Sequence, residues 1–209
     1  RTLDEYIGQR HLVGPDAVIR RMIESGHVAS FILWGPPGVG KTTLARLLAN
    51  LTEAPFHTLS AVTSGVKDVR EVIEQCKRES NSIFGQGRPI LFIDEIHRFN
   101  KAQQDSLLGA VEQGILTLIG ATTENPSFEV NSALLSRCKV FVLQPLRMED
   151  LVRMLRRALT DPRGFGGLTV EIDEEMLEAV ANFANGDART ALSTLEMAVL
   201  NGETRTEKD

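Results

Sequence analysis

Cysteine is almost missing from this chain: Cys76 and Cys138, 62 positions apart, are the two among 209 residues. They supply neither a metal-ligand spacing nor a disulfide framework, and both are expected to be reduced. Long apolar runs are missing too. Phe31 to Trp34 and Ile90 to Ile93 are strand-sized, so nothing is long enough to span a membrane, and no signal peptide is visible. Aromatics are 5% of the residues, yet 42% are hydrophobic, enough for a proper core in one large domain plus a small one. Positive charge is not in excess. A net charge of -5 excludes a wholly basic nucleic-acid binder while leaving room for a local positive stripe. There is no internal repeat and no low-complexity tract. The expected location is cytoplasmic and nucleoid-associated in a bacterium, or nuclear in a eukaryote. The start at Arg1 rather than Met, and the polar run Gly202 to Asp209, read as a piece cut from something longer.

What is present begins with Ile32-Leu33-Trp34, which runs into Gly35-Pro36-Pro37-Gly38-Val39-Gly40-Lys41-Thr42-Thr43 and then into the helical pattern Leu44-Ala45-Arg46-Leu47-Leu48. A G-x-x-x-x-G-K-T loop between a strand and a helix is a cradle for a nucleoside triphosphate. Its glycines let successive N–H groups curl around phosphate oxygens, Lys41 reaches the β- and γ-phosphates, and the Thr42 hydroxyl ligates Mg2+. The start of the helix adds its positive dipole end.

Further along, Phe56 to Ser60 reads as a strand, and apolar residues at Val66, Val69, Val72, Ile73 and Cys76 predict a helix over Val66 to Glu79. Pro89 to Ile93 is a continuous apolar run of the kind buried on both faces of a parallel sheet, and it ends at Asp94-Glu95. A helix over Ala102 to Gln113, a strand over Leu116 to Ala121, a short helix near Ser132 to Ser136 and a strand over Val140 to Leu143 follow. This alternation predicts a parallel sheet with helices on both faces. Beyond Pro145 the pattern is helical only: Met148 to Thr160, Asp173 to Phe183 and Asp187 to about Asn201, with Asp173 and Asp187 as N-caps. The glycine-rich link Pro162 to Gly167 separates the first two of these.

Acids at a strand's carboxyl end sit at the sheet edge where ligands bind. Asp94 is placed to organise the water shell of Mg2+, and Glu95 to polarise an attacking water. Thr122 and Thr123 end the next strand, where a hydroxyl can hold the water or the γ-phosphate or serve merely as a turn residue.

In this order, Gly35 to Thr42, Asp94-Glu95, Thr123 and Ser136-Arg137-Cys138 resemble the AAA+ ATPases, the Ser-Arg-Cys triplet pointing to the clamp-loader clade. More narrowly, Leu91 to Lys101 and Ile119 to Phe128 resemble the replication-associated recombination protein A family, which includes the maintenance-of-genome-stability and Werner-helicase-interacting proteins. The resemblance covers essentially the whole chain. It implies an AAA+ P-loop NTPase: a five-stranded parallel αβα sandwich over residues 1–145, an incomplete helical lid over 146–209, and ATP with Mg2+ at their junction.

The resemblance also assigns roles. Thr123 matches sensor 1, Arg137 the arginine finger that reaches a neighbouring subunit, and Arg189 the sensor 2 position. Ile7 and Gly8, in Tyr6-Ile7-Gly8-Gln9, match the segment that closes over adenine. Read from the residues alone, Arg137 is equally a helix-end residue favourable to the dipole, and Arg189 a solvated one. Clamp-loader relatives carry Asn on the second strand to restrain the glutamate until DNA arrives; the shorter Ser60 stands there in this chain. His97 is a candidate contact of the glutamate or of DNA, or a histidine satisfied by a backbone carbonyl. Lys67 and Arg70 share a face at a helix start, which in clamp loaders looks into the central channel; a solvated face balanced by Asp68 and Glu71 is the alternative.

The function expected from this is DNA-dependent ATP hydrolysis in the maintenance and recombination of stalled or gapped replication forks. The expected partners are single-stranded, gapped or forked DNA, replication or repair proteins, and further copies of the chain joined through a carboxyl-terminal domain absent here. A clamp-loader subunit is the nearest alternative, opposed by Glu124-Asn125-Pro126-Ser127-Phe128 and by the lack of a zinc-binding cysteine cluster. A nucleotide-holding scaffold without turnover is opposed by the presence of both Glu95 and Arg137. A protein unfoldase is opposed by the absence of an aromatic residue between Ala61 and Lys67.

Overall fold

The computed structural model describes residues 2–82, 87–168 and 170–202; the closing polar run from residue 203 onward lies outside them. The chain divides into two compact units, Arg1–Pro36 with Gly40–Gln144, and Pro37–Val39 with Pro145–Asp209.

The first unit begins with two helices that the sequence reading passed over, α1 (Arg10–Val13) and α2 (Val18–Ser25). Then come β1 (Phe31–Trp34), α3 (Lys41–Leu51), β2 (Phe56–Ser60), α4 (Val66–Ser80), β3 (Ile90–Asp94), α5 (Lys101–Glu112), β4 (Thr117–Thr122), α6 (Pro126–Glu129), α7 (Ser132–Ser136) and β5 (Lys139–Val142). The strands form a five-stranded parallel sheet in the order β2-β3-β4-β1-β5. All strands therefore present their carboxyl ends at one edge, and β4 lies between the strand that feeds the glycine-rich loop and the strand that ends in the two acids.

Side-chain alternation along the strands divides the core. Ile32, Leu91 and Ile93 face one side, packed with Val69, Ile73 and Cys76 of α4, Leu107 and Ala110 of α5, and Leu134 of α7. Phe31, Leu33, Ile90 and Phe92 take the other side, where α3 lies against β3 and β4. There the Phe92 and Phe56 rings stack with centroids 6.5 Å apart, and the Arg46 guanidinium sits 5.9 Å from the Phe56 centroid. Burying one such aliphatic or aromatic side chain contributes about 1.5–3 kcal/mol. The packing of β3 on both faces thus fixes the strand that carries Asp94 and Glu95.

The second unit is helical: α8 (Met148–Thr160), α9 (Glu174–Ala184) and α10 (Ala188–Leu200). Leu151, Val152 and Leu155 pack with Leu177, Val180, Ala181 and Ala184, and with Ala191 and Leu195. Arg156 pairs with Glu174, linking α8 to α9. Asp173 caps α9 by accepting the Met176 N–H at 2.8 Å, and Asp187 caps α10 by accepting the Thr190 N–H at 3.2 Å. Among the described residues no helix is long and apolar enough to cross a membrane.

Cys76 is buried and Cys138 half-buried, and both are free thiols. Burial pushes each up to about 11, and the charge of Glu79 adds to the effect at Cys76. Against a thiol at its ordinary value, the thiolate fraction at about pH 8 falls roughly a hundredfold. The native protein is expected to alkylate slowly with iodoacetamide at that pH and faster as the pH climbs, with the unfolded chain reacting at the ordinary rate. Because the folded state holds the proton more tightly, the associated stability is present below about pH 9 and is lost as the pH rises through about 11. Equal native and unfolded alkylation rates at about pH 8 would show the thiols to be accessible.

Candidate functional site

Gly35 follows β1, and its N–H donates to the Thr122 carbonyl at 3.1 Å. A Cβ there would meet the Leu143 carbonyl oxygen at 2.8 Å, so the loop leaves the sheet through a gap that has no room for a side chain. Gly40 has φ 97° and is the N-cap of α3; no side chain caps this helix. The first turn of α3, Lys41 to Thr43, consequently directs its N–H groups at whatever lies over the loop, the usual arrangement for an anion.

The Lys41 ammonium is folded back onto the loop, donating to the Gly35 carbonyl at 2.6 Å and the Pro36 carbonyl at 3.0 Å. Thr42 is half-buried and Thr43 exposed. Tyr6, which the sequence reading did not single out, donates its hydroxyl to the Gly40 carbonyl at 3.0 Å. Burial holds the phenol well above its ordinary range, which keeps it a neutral donor. Next to it, Ile7 and Gly8 are half-buried, with Gly8 at φ 85°. Gln9 is buried and locked to the far end of the unit: its Nε2 donates to the Gln144 carbonyl at 2.7 Å, and the Gln144 N–H donates to its Oε1 at 2.9 Å. This pair of hydrogen bonds across 135 positions sets the amino-terminal segment beside the carboxyl end of β5.

Pro37, Gly38 and Val39 group with the helical unit. There the Ala188 N–H donates to the Gly38 carbonyl at 2.7 Å. Gly38 has φ 72°, and a Cβ on it would collide with the Asp187 carboxylate. Arg189 is exposed in the first turn of α10.

Asp94 ends β3 opposite Ser60 in the register. Glu95 turns the chain with φ 56° and leads into a 3-10 turn, Ile96–Arg98, anchored by the fully buried Ile96. Glu95 Oε2 lies 3.2 Å from His97 Nε2 and 4.0 Å from Arg98 Nε. The other ring nitrogen, His97 Nδ1, lies 2.8 Å from the Thr122 hydroxyl. Of the two threonines singled out by sequence, Thr122 is buried in this network, and Thr123 is half-buried at the strand end beside it. Sequence offered the His97 alternatives but did not join them to Thr122.

Arg137 is the C-cap of α7. Its guanidinium pairs with Glu112 at 3.3 Å, with the two side chains 57% and 43% exposed. Lys67 and Arg70 are exposed in the first two turns of α4, and Lys67 Nζ lies 3.7 Å from Glu71 Oε1.

Among the described residues, ligand atoms of His57, Cys76 and Glu79 lie within 4.8 Å of one another. His57 and Glu79 are already hydrogen-bonded at 2.8 Å, and Cys76 strongly favours the protonated thiol. We read this cluster as a clamp of α4 on β2. A cleft of about 390 Å³ that includes His27, Arg88 and Thr117 lies at the amino ends of the strands, the edge opposite the glycine-rich loop.

The family described as ATPase family associated with various cellular activities (AAA) matches residues 31–146. The chain belongs to the AAA family. Its AAA sequence is 53% identical over 196 residues to the replication-associated recombination protein A of Escherichia coli, an alignment covering 93% of this chain and 43% of that protein. It is 48% identical over 208 residues to ATPase WRNIP1 of Dictyostelium discoideum, covering 99% of this chain and 23% of that one. Among solved structures, the AAA fold is similar to the RuvB Holliday junction branch migration motor of Thermotoga maritima. The TM-score is 0.76 at 29% identity, over 95% of this chain and 65% of that one. The chain spans less than half the length of these curated relatives.

Proposed function

We propose that this chain is the ATP-hydrolysing part of a DNA-dependent AAA+ enzyme that acts in the maintenance and recombination of replication forks. The observation that carries the reading is the shared sheet edge of the first unit. The uncapped start of α3 with Lys41 and Thr42 follows β1, Asp94 ends β3 with Glu95 just after it, and Thr122 ends the strand between with Thr123 just after it. Support for the biological setting comes from the relatives named for replication-associated recombination.

The residues suit Mg-ATP: an eleven-residue helix with no capping side chain offers its N–H groups to phosphate, and a lysine, a threonine and a carboxylate stand beside it. Thr42 and Asp94 would hold Mg2+, which when bound neutralises phosphate charge. Lys41 exchanges the two loop carbonyls for β- and γ-phosphate oxygens. Ile7 and Gly8 hold the adenine. Glu95 takes the proton of the attacking water, Thr123 orients that water, and Arg189 serves as sensor 2. Arg137 completes the site of a neighbouring copy, so turnover belongs to the homo-oligomer of the full-length protein.

ATP turnover of the full-length oligomer, with and without single-stranded, gapped and forked DNA, tests this reading. DNA is expected to raise the rate. Tight ATP binding without turnover on any DNA would favour a scaffold instead.

The DNA contact is assigned to Lys67 and Arg70. The Lys67–Glu71 pair is 88% and 64% exposed and so holds the lysine by about 0–1 kcal/mol at most. Replacing both residues with Ala is expected to weaken binding to all duplex sequences alike and to reduce the salt slope by about two units, at roughly 0.9 per phosphate contact. ATP affinity without DNA should not change. An unchanged slope, read from binding isotherms at several salt concentrations, would return these residues to the solvated face.

A further inference from the structure

We propose that His97 is the positioning residue of Glu95, holding its carboxylate at the sheet edge through a hydrogen-bond chain that runs from the Glu124 N–H through the Thr122 hydroxyl to the imidazole. The proposal rests on reading Glu95 as the base. The proton inventory of the chain carries the argument. The Thr122 hydroxyl oxygen accepts the Glu124 N–H at 3.0 Å. The hydroxyl has one proton to give, and two acceptors stand within reach: the Glu124 carbonyl at 3.1 Å and His97 Nδ1 at 2.8 Å.

If the proton goes to Nδ1, the ring is neutral and carries its own hydrogen on Nε2. If it goes to the Glu124 carbonyl, Nδ1 must itself donate to the hydroxyl. Nε2, facing the Glu95 carboxylate oxygen at 3.2 Å, then carries a hydrogen as well. The remaining form, neutral with hydrogen on Nδ1 alone, would set a nitrogen lone pair against the carboxylate. Both permitted forms therefore present an Nε2–H donor to Glu95 Oε2. That bond occupies one carboxylate oxygen and leaves Oε1 to accept the proton of water. An imidazole fixed on one nitrogen and acting through the other is a recurrent device for orienting a catalytic group.

Burial favours this partner over DNA. The His97 side chain is 10% exposed against 30% for Glu95, so the ring lies behind the carboxylate. The anchoring is also rigid: Thr122 is 1% exposed, and Gly120, two positions earlier on β4, would, with a Cβ, meet Ile96 Cδ1 at 3.0 Å. The turn bearing Glu95 and His97 is thus pressed onto β4.

The test uses the full-length protein with its activating DNA. His97→Ala is expected to lower kcat about tenfold to a hundredfold while ATP affinity stays within about twofold, as suits lost orientation rather than lost binding. His97→Gln, whose amide N–H reaches the same carboxylate, should recover most of the rate. In a Glu95→Gln background, His97→Ala should change nothing further, because the group it orients is gone. A His97→Ala enzyme with full kcat, or one whose rate falls only as its ATP affinity falls, overturns the proposal. Normal turnover by Glu95→Gln alone would instead remove Glu95 as the base, a separate failure.

Discussion

Glu95→Gln is expected to bind ATP as the parent does and to hydrolyse it at a rate lower by about 10²–10⁴, the range that a positioned general base contributes. The amide keeps the shape and the hydrogen bond from His97 but cannot take a proton at neutral pH. Lys41→Ala should fail one step earlier, with tight ATP binding lost. That substitution removes the charge opposite the β- and γ-phosphates. It also removes the donor that now serves the Gly35 and Pro36 carbonyls, so thermal melting without nucleotide should accompany the measurement to separate loop disorder from lost charge. Equilibrium binding of labelled ATP distinguishes the two variants: Glu95→Gln saturates, Lys41→Ala does not. Normal hydrolysis by Glu95→Gln would transfer the base to another residue.

The second large effect concerns Arg137. Arginines that complete a nucleotide site from a neighbouring subunit contribute about 10³–10⁵ in rate. Among the described residues, Arg137 is held by a largely exposed pair with Glu112, worth about 0–1 kcal/mol, so release toward a neighbour is cheap relative to the gain. The isolated chain should accordingly bind ATP yet turn it over poorly. In the full-length oligomer, Arg137→Ala and Glu95→Gln should each be nearly inactive as pure assemblies. Mixing them places intact Glu95 sites beside intact Arg137 donors, and activity should return once fluorescent labels confirm that subunits exchange. Confirmed exchange without recovered hydrolysis would leave Arg137 as the C-cap of α7 and no more.

Where neighbouring residues decide the structure, the sequence was legible. Ile90 to Ile93 read as a strand buried on both faces because nothing polar interrupts it, and Asp173 and Asp187 read as caps because a short acid precedes each helical period. The glycine-rich loop was recognisable because its backbone leaves few choices of residue. Long-range choices were not legible. Alternating strands and helices give a parallel sheet without saying that β4 separates β1 from β3. Nothing near Gln9 announces Gln144, 135 positions away. Helix α2 did carry a signal, since Ile19 and Met22 stand three apart and are both buried, but at eight residues it is too short for its period to stand out. At the site, two adjacent threonines are equivalent on paper. Only the burial of Thr122 beside the ring of His97 distinguishes them: Thr122 is the last residue of β4, and Thr123 already belongs to the bend that follows.

Glu95 sits at φ 56°, a left-handed conformation that asparagine or glycine adopts more readily than glutamate and that costs of order 1–3 kcal/mol in a residue with a long side chain. The Arg98 N–H bonded to its carbonyl at 2.9 Å and the buried Ile96 keep the turn in place despite that cost. The acid is thus held against the local preference of its own backbone. Exchanging it for glycine or asparagine would relieve that backbone cost but would give up the contact of the carboxylate with the His97 ring at 3.2 Å. A carboxylate kept at so costly a backbone position is what the proposed role of Glu95 as the base would require.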